Sequence, residues 1–171
     1  MRLFGRLLSF LTVLLVCVSV SAFAMDKEQE KEFHRIFVMS LDELTEYARA
    51  ALTKRYPDEK WEGHRFPDYV FTNESVEAAY KIAVKRPELL AKIHCYCPCE
   101  QIGHKNLLHC FFKNGEPGVF EKHAVFCTIC YGEAMLAFLW AELGATDQEI
   151  IEGMKKRFVP ERPIPEGITY P

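Results

Sequence analysis

The sequence lacks most of the signatures by which large function classes are recognised. No valine-rich alternating strand occurs and no βαβ order of elements, which leaves α-helix as the scaffold and argues against a thioredoxin fold. There is no basic stripe: 21 Lys and Arg face 24 Asp and Glu, for a net charge of −3. That balance excludes an electrostatic nucleic-acid surface. No Ser/His/Asp order, glycine-rich phosphate loop or paired-carboxylate site stands out, so a binding protein is preferred to an enzyme. Tyr131 follows Cys130, so no C-x-x-C-H is formed and covalent c-type haem is excluded on this motif. Internal repeats and low-complexity blocks are missing. Cysteine is also absent from most of the chain: none lies between Cys17 and Cys95, and none follows Cys130.

What is present begins with an export signal. Met1 to Arg6 carries two arginines and no acid, Leu7 to Val20 is almost wholly apolar, and Ser21-Ala22-Phe23-Ala24 supplies an A-x-A pattern. This order predicts a signal peptide, residues 1–24, cleaved after Ala24 to give a periplasmic or extracellular protein. The apolar run is short for a span, and the charged segment Asp26 to Glu32 follows it at once. A membrane association is expected only if the signal stays uncleaved. Val16 before Cys17 argues against lipidation there. Removal of residues 1–24 leaves 147 residues, takes the net charge to −5 and keeps six cysteines. That is one domain with room for a core.

The expected organisation is a single helical domain over 25–158, with a cysteine-rich segment at 94–130 and a Pro-rich tail at 159–171. Asp26 to Phe37 reads as a helix or a solvated lead-in. Ser40 and Glu43 form a capping box, and apolar residues then recur at helical spacing to Arg55. Tyr56 to Asn73 reads as an ordered loop pinned by Trp61, Phe66, Tyr69 and Phe71. A helix follows over Glu74 to Arg86 with Val76, Ala79, Tyr80 and Ala83 on one face. Pro87 stops it or restarts it as a short turn, Glu88 to Ile93. Gly103 to Phe112 has room for another helical turn, and Asn114-Gly115 and Pro117-Gly118 supply turn chemistry. Phe126 to Gly144 is apolar nearly all round and is expected at the centre, ended by Gly144. Thr146 and Glu149 form a second capping box, opening a helix to Phe158. Met135 and Met154 read as core. The predicted class is therefore all-α, with a cysteine-rich loop packed on the start of a central buried helix.

Chemistry concentrates in the cysteines. Cys95, Cys97 and Cys99 form C-x-C-x-C. In an extended chain their sulfurs share one face, and Pro98 pushes Cys97 towards extended conformations. Residues i and i+2 of such a chain lie about 6.6 Å apart, near the limit for a disulfide. Cys127 and Cys130 form C-x-x-C at a helix start, where free N–H groups and the dipole favour thiolates. Cys110 lies between the two limbs. His94, His104, His109 and His123 are the nitrogen donors at hand; His94 and His123 lie near cysteines. Glu100 and Glu133 read as solvated or capping carboxylates, with support of a ligand as the other use. Four or more thiolates suit Cu(I), zinc or an iron–sulfur cluster. The signal carries no twin arginine for folded export, which disfavours iron–sulfur. Six cysteines exceed a closed zinc site, so Cu(I) is preferred and zinc is the alternative cofactor. Disulfides are the rival, since an even cysteine count in an exported chain is commonly a staple set.

At these residues the chain resembles the bacterial proteins named for a PCYCGC motif, many of them exported or lipid-anchored. The matching pieces are Cys95-Tyr96-Cys97-Pro98-Cys99, Gly103-His104-Lys105-Asn106, Cys110-Phe111, His123 and Cys127-x-x-Cys130, with the last helix and its Pro-rich tail. His94 replaces the leading proline and Pro98 the glycine. The resemblance covers the C-terminal half and implies a thiol-rich exported domain. Residues and resemblance together point to an exported metal-binding protein for trafficking, buffering or sensing. Its ligands are Cys95, Cys97, Cys99, Cys110, Cys127 and Cys130, with His94, His104 or His123 as additions. The partners implied are the metal ion and another exported thiol- or metal-handling protein. Two further readings stand beside it: a thiol–disulfide oxidoreductase using Cys127 and Cys130, and a disulfide-stapled interaction module.

Overall fold

A computed structural model describes residues 25–159. The expected signal peptide at 1–24 and all but the first residue of the expected tail lie outside the described residues. Among those described there are six α-helices and no strand: α1 (Lys27–Val38), α2 (Leu41–Arg55), α3 (Glu74–Lys85), α4 (Pro87–Leu90), α5 (Thr128–Leu143) and α6 (Asp147–Phe158). An isolated bridge pairs Phe112 with Phe120. The fold is all-α, as the missing strand periodicity predicts. No described helix is long and apolar enough to cross a membrane.

The helix starts follow their caps. Ser40 and Glu43 close a reciprocal box on α2, and Thr146 and Glu149 do the same on α6. Each box satisfies two N–H groups that the helix itself cannot pair. The segment left open as helix or lead-in is a helix, because Asp26 and Gln29 form a third box. Gly144 ends α5 at φ 99°, the left-handed conformation that glycine adopts at no steric cost.

The five other helices all pack on α5. Residues Cys130 to Trp140 of α5 are all buried, as expected of a helix that is apolar on every side. At its C-terminal end Trp140 stacks on Phe33 of α1 with centroids 4.4 Å apart, and its indole N–H donates to the Phe33 carbonyl at 3.2 Å. Gly153 lets α6 close on this stack. A Cβ there would sit 2.9 Å from Phe33 and 3.0 Å from Trp140. Met135 and Met154 are in the core.

The loop 56–73 is ordered, through two 3-10 turns, Trp61–His64 and Asp68–Phe71. Phe66 lies 5.3 Å from Phe120, centroid to centroid, joining this loop to the cysteine-rich segment. Of the four aromatics expected to pin the loop, Phe71 does not: it is 54% exposed, and Val70 takes the buried place beside it. A 3-10 turn puts neighbouring side chains on different sides, so only one of the pair faces the core. Fully buried Tyr80 of α3 meets Phe111 edge-on at 5.1 Å and donates its hydroxyl to the Glu121 carbonyl. That contact fixes the loop that carries Cys110 and His123 against the helical core.

Candidate metal centre

Three segments bring the cysteines to the start of α5. Residues 94–97 leave α4 and run past α5. There the Tyr96 N–H donates to Glu133 Oε1 at 2.7 Å, which holds the extended run flat against the helix. With alternate residues facing alternate sides, Cys95 and Cys97 turn inward with sulfurs 3.3 Å apart. His94 and Tyr96 turn the other way, and their rings meet at 5.1 Å. A 3-10 turn, Pro98–Ile102, then bends the chain. The extended run therefore ends at Cys97, and Cys99 lies at the edge of the group, 3.9 Å from Cys110. Cys110 closes a second 3-10 turn, Leu107–Cys110, anchored where the Leu107 N–H donates to the Ile93 carbonyl at 2.8 Å.

The third segment is the 3-10 turn His123–Phe126, which hands the chain to Cys127, the N-cap of α5. The helix thus begins two residues later than the apolar run suggests, and Phe126 is 76% exposed. Cys127 Sγ accepts the Cys130 N–H at 3.3 Å, so a cysteine does the work usually given to Ser or Asp.

The sulfurs converge. Cys130 lies 3.6 Å from Cys95 and 3.5 Å from Cys97, and Cys110 lies 3.7 Å from Cys95. His123 Nε2 stands 3.8 Å from Cys97, and His104 Nδ1 3.4 Å from Cys110. Donor atoms within 4.8 Å of one another form three groups: Cys95, Cys97, Cys110 and Cys130; Cys97, Cys99, Cys110 and His123; and Cys97, His123, Cys127 and Cys130. All six cysteines are unbridged, and only Cys127 is more than marginally exposed. Two of the predicted nitrogen donors fall outside these groups. His104 reaches the cluster at Cys110 and packs edge-on against His123, with ring centroids 4.8 Å apart. His94 is at the surface, 3.4 Å from Glu100 Oε1.

For a metal–sulfur bond of about 2.3 Å, the edge of a ligand tetrahedron is about 3.8 Å. Five sulfur pairs lie 3.3 to 3.9 Å apart, close to that edge, and the other donors of each group lie within 4.8 Å. The cluster could thus hold a metal ion with little movement of the backbone.

Charge within the cluster is uneven. Cys97 is drawn far down, because the Cys110, Cys127, Cys130 and Cys95 thiols hydrogen-bond to it. Cys95 and Cys130 are pushed up, chiefly through their hydrogen bonds to neighbouring thiols, Cys110 foremost, and then by burial. Burial raises Cys99 first, with the neighbouring cysteines adding to it. The helix start was expected to favour thiolates at both Cys127 and Cys130, yet both stand above the ordinary value. At Cys127 the Cys130 thiol pulls down, while Cys97 and burial push further up. Cys97 is thus the cysteine of the set at which the surrounding thiols favour the thiolate. Burial, with His123 and His109 nearby, lowers His104 and so favours its neutral, ligand-competent form.

Glu133 is the residue the sequence reading undervalued. It is fully buried on α5, and its Oε2 has no hydrogen-bond partner. Burial pushes its carboxyl up to about 8, against the Tyr96 N–H and the Cys95 thiol, which pull it down. It positions the Cys95–Cys97 run. The signal was available, since Cys130 and Glu133 are three apart and share a helix face. Glu100, by contrast, is exposed, as read.

A surface cavity of about 600 Å³ between α1 and α6 is lined by Phe33, His34 and Gly153 among others and contains no cysteine. The cleft and the cysteine cluster are thus separate features of the fold. No curated protein and no solved structure matches the chain. A family model described as a protein of unknown function with PCYCGC motif matches residues 59–161, which include every donor in the three groups. The chain belongs to the PCYCGC-motif family.

Proposed function

We propose that this is an exported metal-binding protein whose cysteine cluster takes Cu(I), with Zn(II) as the alternative, for trafficking, buffering or sensing. The observation that carries the reading is the convergence of six cysteine sulfurs and His123 Nε2 in one mostly buried locus. Soft thiolates in a dry site select soft cations, and Cu(I) accepts crowded sulfur sets that exceed the four ligands of zinc. The ligands are Cys95, Cys97, Cys99, Cys110, Cys127, Cys130 and His123. His104 stands beside them, and His94 stays outside. Export rests on the order of charge, apolar run and A-x-A pattern in residues 1–24.

Thiol–disulfide exchange through Cys127 and Cys130 has less support, because attack needs a thiolate and both thiols are held up. Stapling also fits less well, since Cys95, Cys97 and Cys99 are crowded into one short run and are poorly spread for stapling. The test is an anaerobic titration of the reduced protein with Cu(I) against a competing chelator. Wild type is expected to hold Cu(I) at least about tenfold more tightly than Cys127→Ser/Cys130→Ser. Equal affinity removes that pair from the site.

A further inference from the structure

We infer that the site is polynuclear: a thiolate-bridged cluster of up to three Cu(I) ions built around Cys97. The inference rests on the metal-binding reading above and adds the number of ions and the way they are joined. Cys97 belongs to all three donor groups. The first two groups also share Cys110, and the first and third share Cys130. Thiolate sulfur has lone pairs to spare and bridges two or more cations. Three sites that share sulfur edges are therefore one cluster rather than three rival positions for a single ion.

The histidine makes the argument sharper. His123 Nε2 appears in both the second and third groups. An imidazole nitrogen has one lone pair and serves one ion. If the ion held by Cys97, Cys127 and Cys130 takes His123, the ion at Cys97, Cys99 and Cys110 is left with three sulfurs. Cu(I) accepts three-coordination, whereas a structural zinc site wants four ligands. Shared edges and one donor too few thus favour several Cu(I) ions over several zinc ions. Loading transfers no electron: each S–H bond replaced by S–Cu sends one proton to solvent.

The experiment is Cu(I) loading of the reduced protein without oxygen, read by native mass spectrometry and X-ray absorption. The expected result is cooperative filling to two or three ions per chain with a copper–copper vector. Saturation at one ion with no such vector overturns the cluster while leaving metal binding intact. No Cu(I) held against a chelator overturns the metal reading itself. Cys99→Ser touches one group and is expected to lose one ion and keep the vector. Cys97→Ser reduces each shared sulfur edge to a single bridge, Cys110 or Cys130, and is expected to lengthen and weaken the vector, with circular dichroism checking the fold. A vector unchanged in length and amplitude in folded Cys97→Ser refutes its role as the central bridge. If that variant does not fold, the wild-type ion count and vector decide.

Discussion

Replacing Glu133 by glutamine separates charge from geometry at the base of the cysteine loop. In the folded chain the carboxyl is raised to about 8 from an ordinary value of 4.5, with burial as the leading cause. Between those two values the folded state keeps a proton that the unfolded state has released. Stability contributed by the protonated form is complete below the unfolded value, falls as pH rises through the window, and is lost once pH passes the folded value. At about 1.4 kcal/mol per unit over roughly three and a half units, the loss amounts to ~5 kcal/mol. Glutamine keeps an oxygen for the Tyr96 N–H and cannot ionise. Urea unfolding of the reduced, metal-free protein at several values from about pH 5 to about pH 8 gives both curves. Wild type and variant carry the same thiols, so what remains in the difference is the Glu133 carboxyl together with its coupling to Cys95 and Cys97. The difference is expected to move by several kcal/mol in favour of Glu133→Gln towards the alkaline end. Curves that stay parallel within about 0.5 kcal/mol refute the assignment of a buried, protonated Glu133. Glu133→Ala cannot ionise either, so its curve is expected to run parallel to that of Glu133→Gln but ~1–3 kcal/mol below it at every pH, because the Tyr96 N–H is left without an acceptor.

Other consequences can be checked directly. His123→Ala is expected to weaken Cu(I) binding by about tenfold or more, while His94→Ala leaves it unchanged, both read by chelator competition. Metal at about a thousand times its dissociation constant is expected to stabilise the fold by ~4 kcal/mol, raising Tm by roughly 8–16 °C in a thermal scan, an increase that a chelator reverses. Gly153→Ala is expected to destabilise by ~1–2 kcal/mol in denaturant, because overpacking against Phe33 and Trp140 outweighs the gain in helix propensity. A more stable Gly153→Ala variant would refute the tight approach of α6.

The parts legible in the sequence were those set by local chemistry. Ser40 with Glu43, Thr146 with Glu149, and Gly144 mark helix ends whose geometry involves only near neighbours, and the structure places them there. The third box, Asp26 with Gln29, carries the same signal, but the six residues after Asp26 are all charged or amide, so the apolar face of that helix shows only from Phe33 on. The donor set was harder, because proximity to a cysteine in sequence says little about direction. His94 adjoins Cys95 and for that reason faces the other way in an extended run. His123 is four residues from Cys127 yet reaches Cys97, because the 3-10 turn before α5 folds it back over the cluster. No local pattern encodes that return; it depends on Tyr80 holding the Glu121 carbonyl from another helix.

The way the donors are held bears on how a metal would be exchanged. The ligating residues span 95 to 130 and come from three segments, each fastened by contacts that involve no sulfur: Tyr96 to Glu133, Leu107 to Ile93, and Tyr80 to Glu121. The core beneath them is large and apolar, with Phe111, Leu136 and Phe138 fully buried on packing alone. Burying each such side chain contributes about 1.5–3 kcal/mol. Chelated, reduced protein is therefore expected to keep its helical circular dichroism, unlike small metal domains in which binding free energy is folding free energy. Loss of the helical signal on chelation would refute this. Cys127 is the half-buried sulfur at the mouth, on the rim with His123. On the metal-binding reading proposed above, an incoming thiol would meet Cys127 at that edge first, with Cys95, Cys110 and Cys130 out of its reach in the interior.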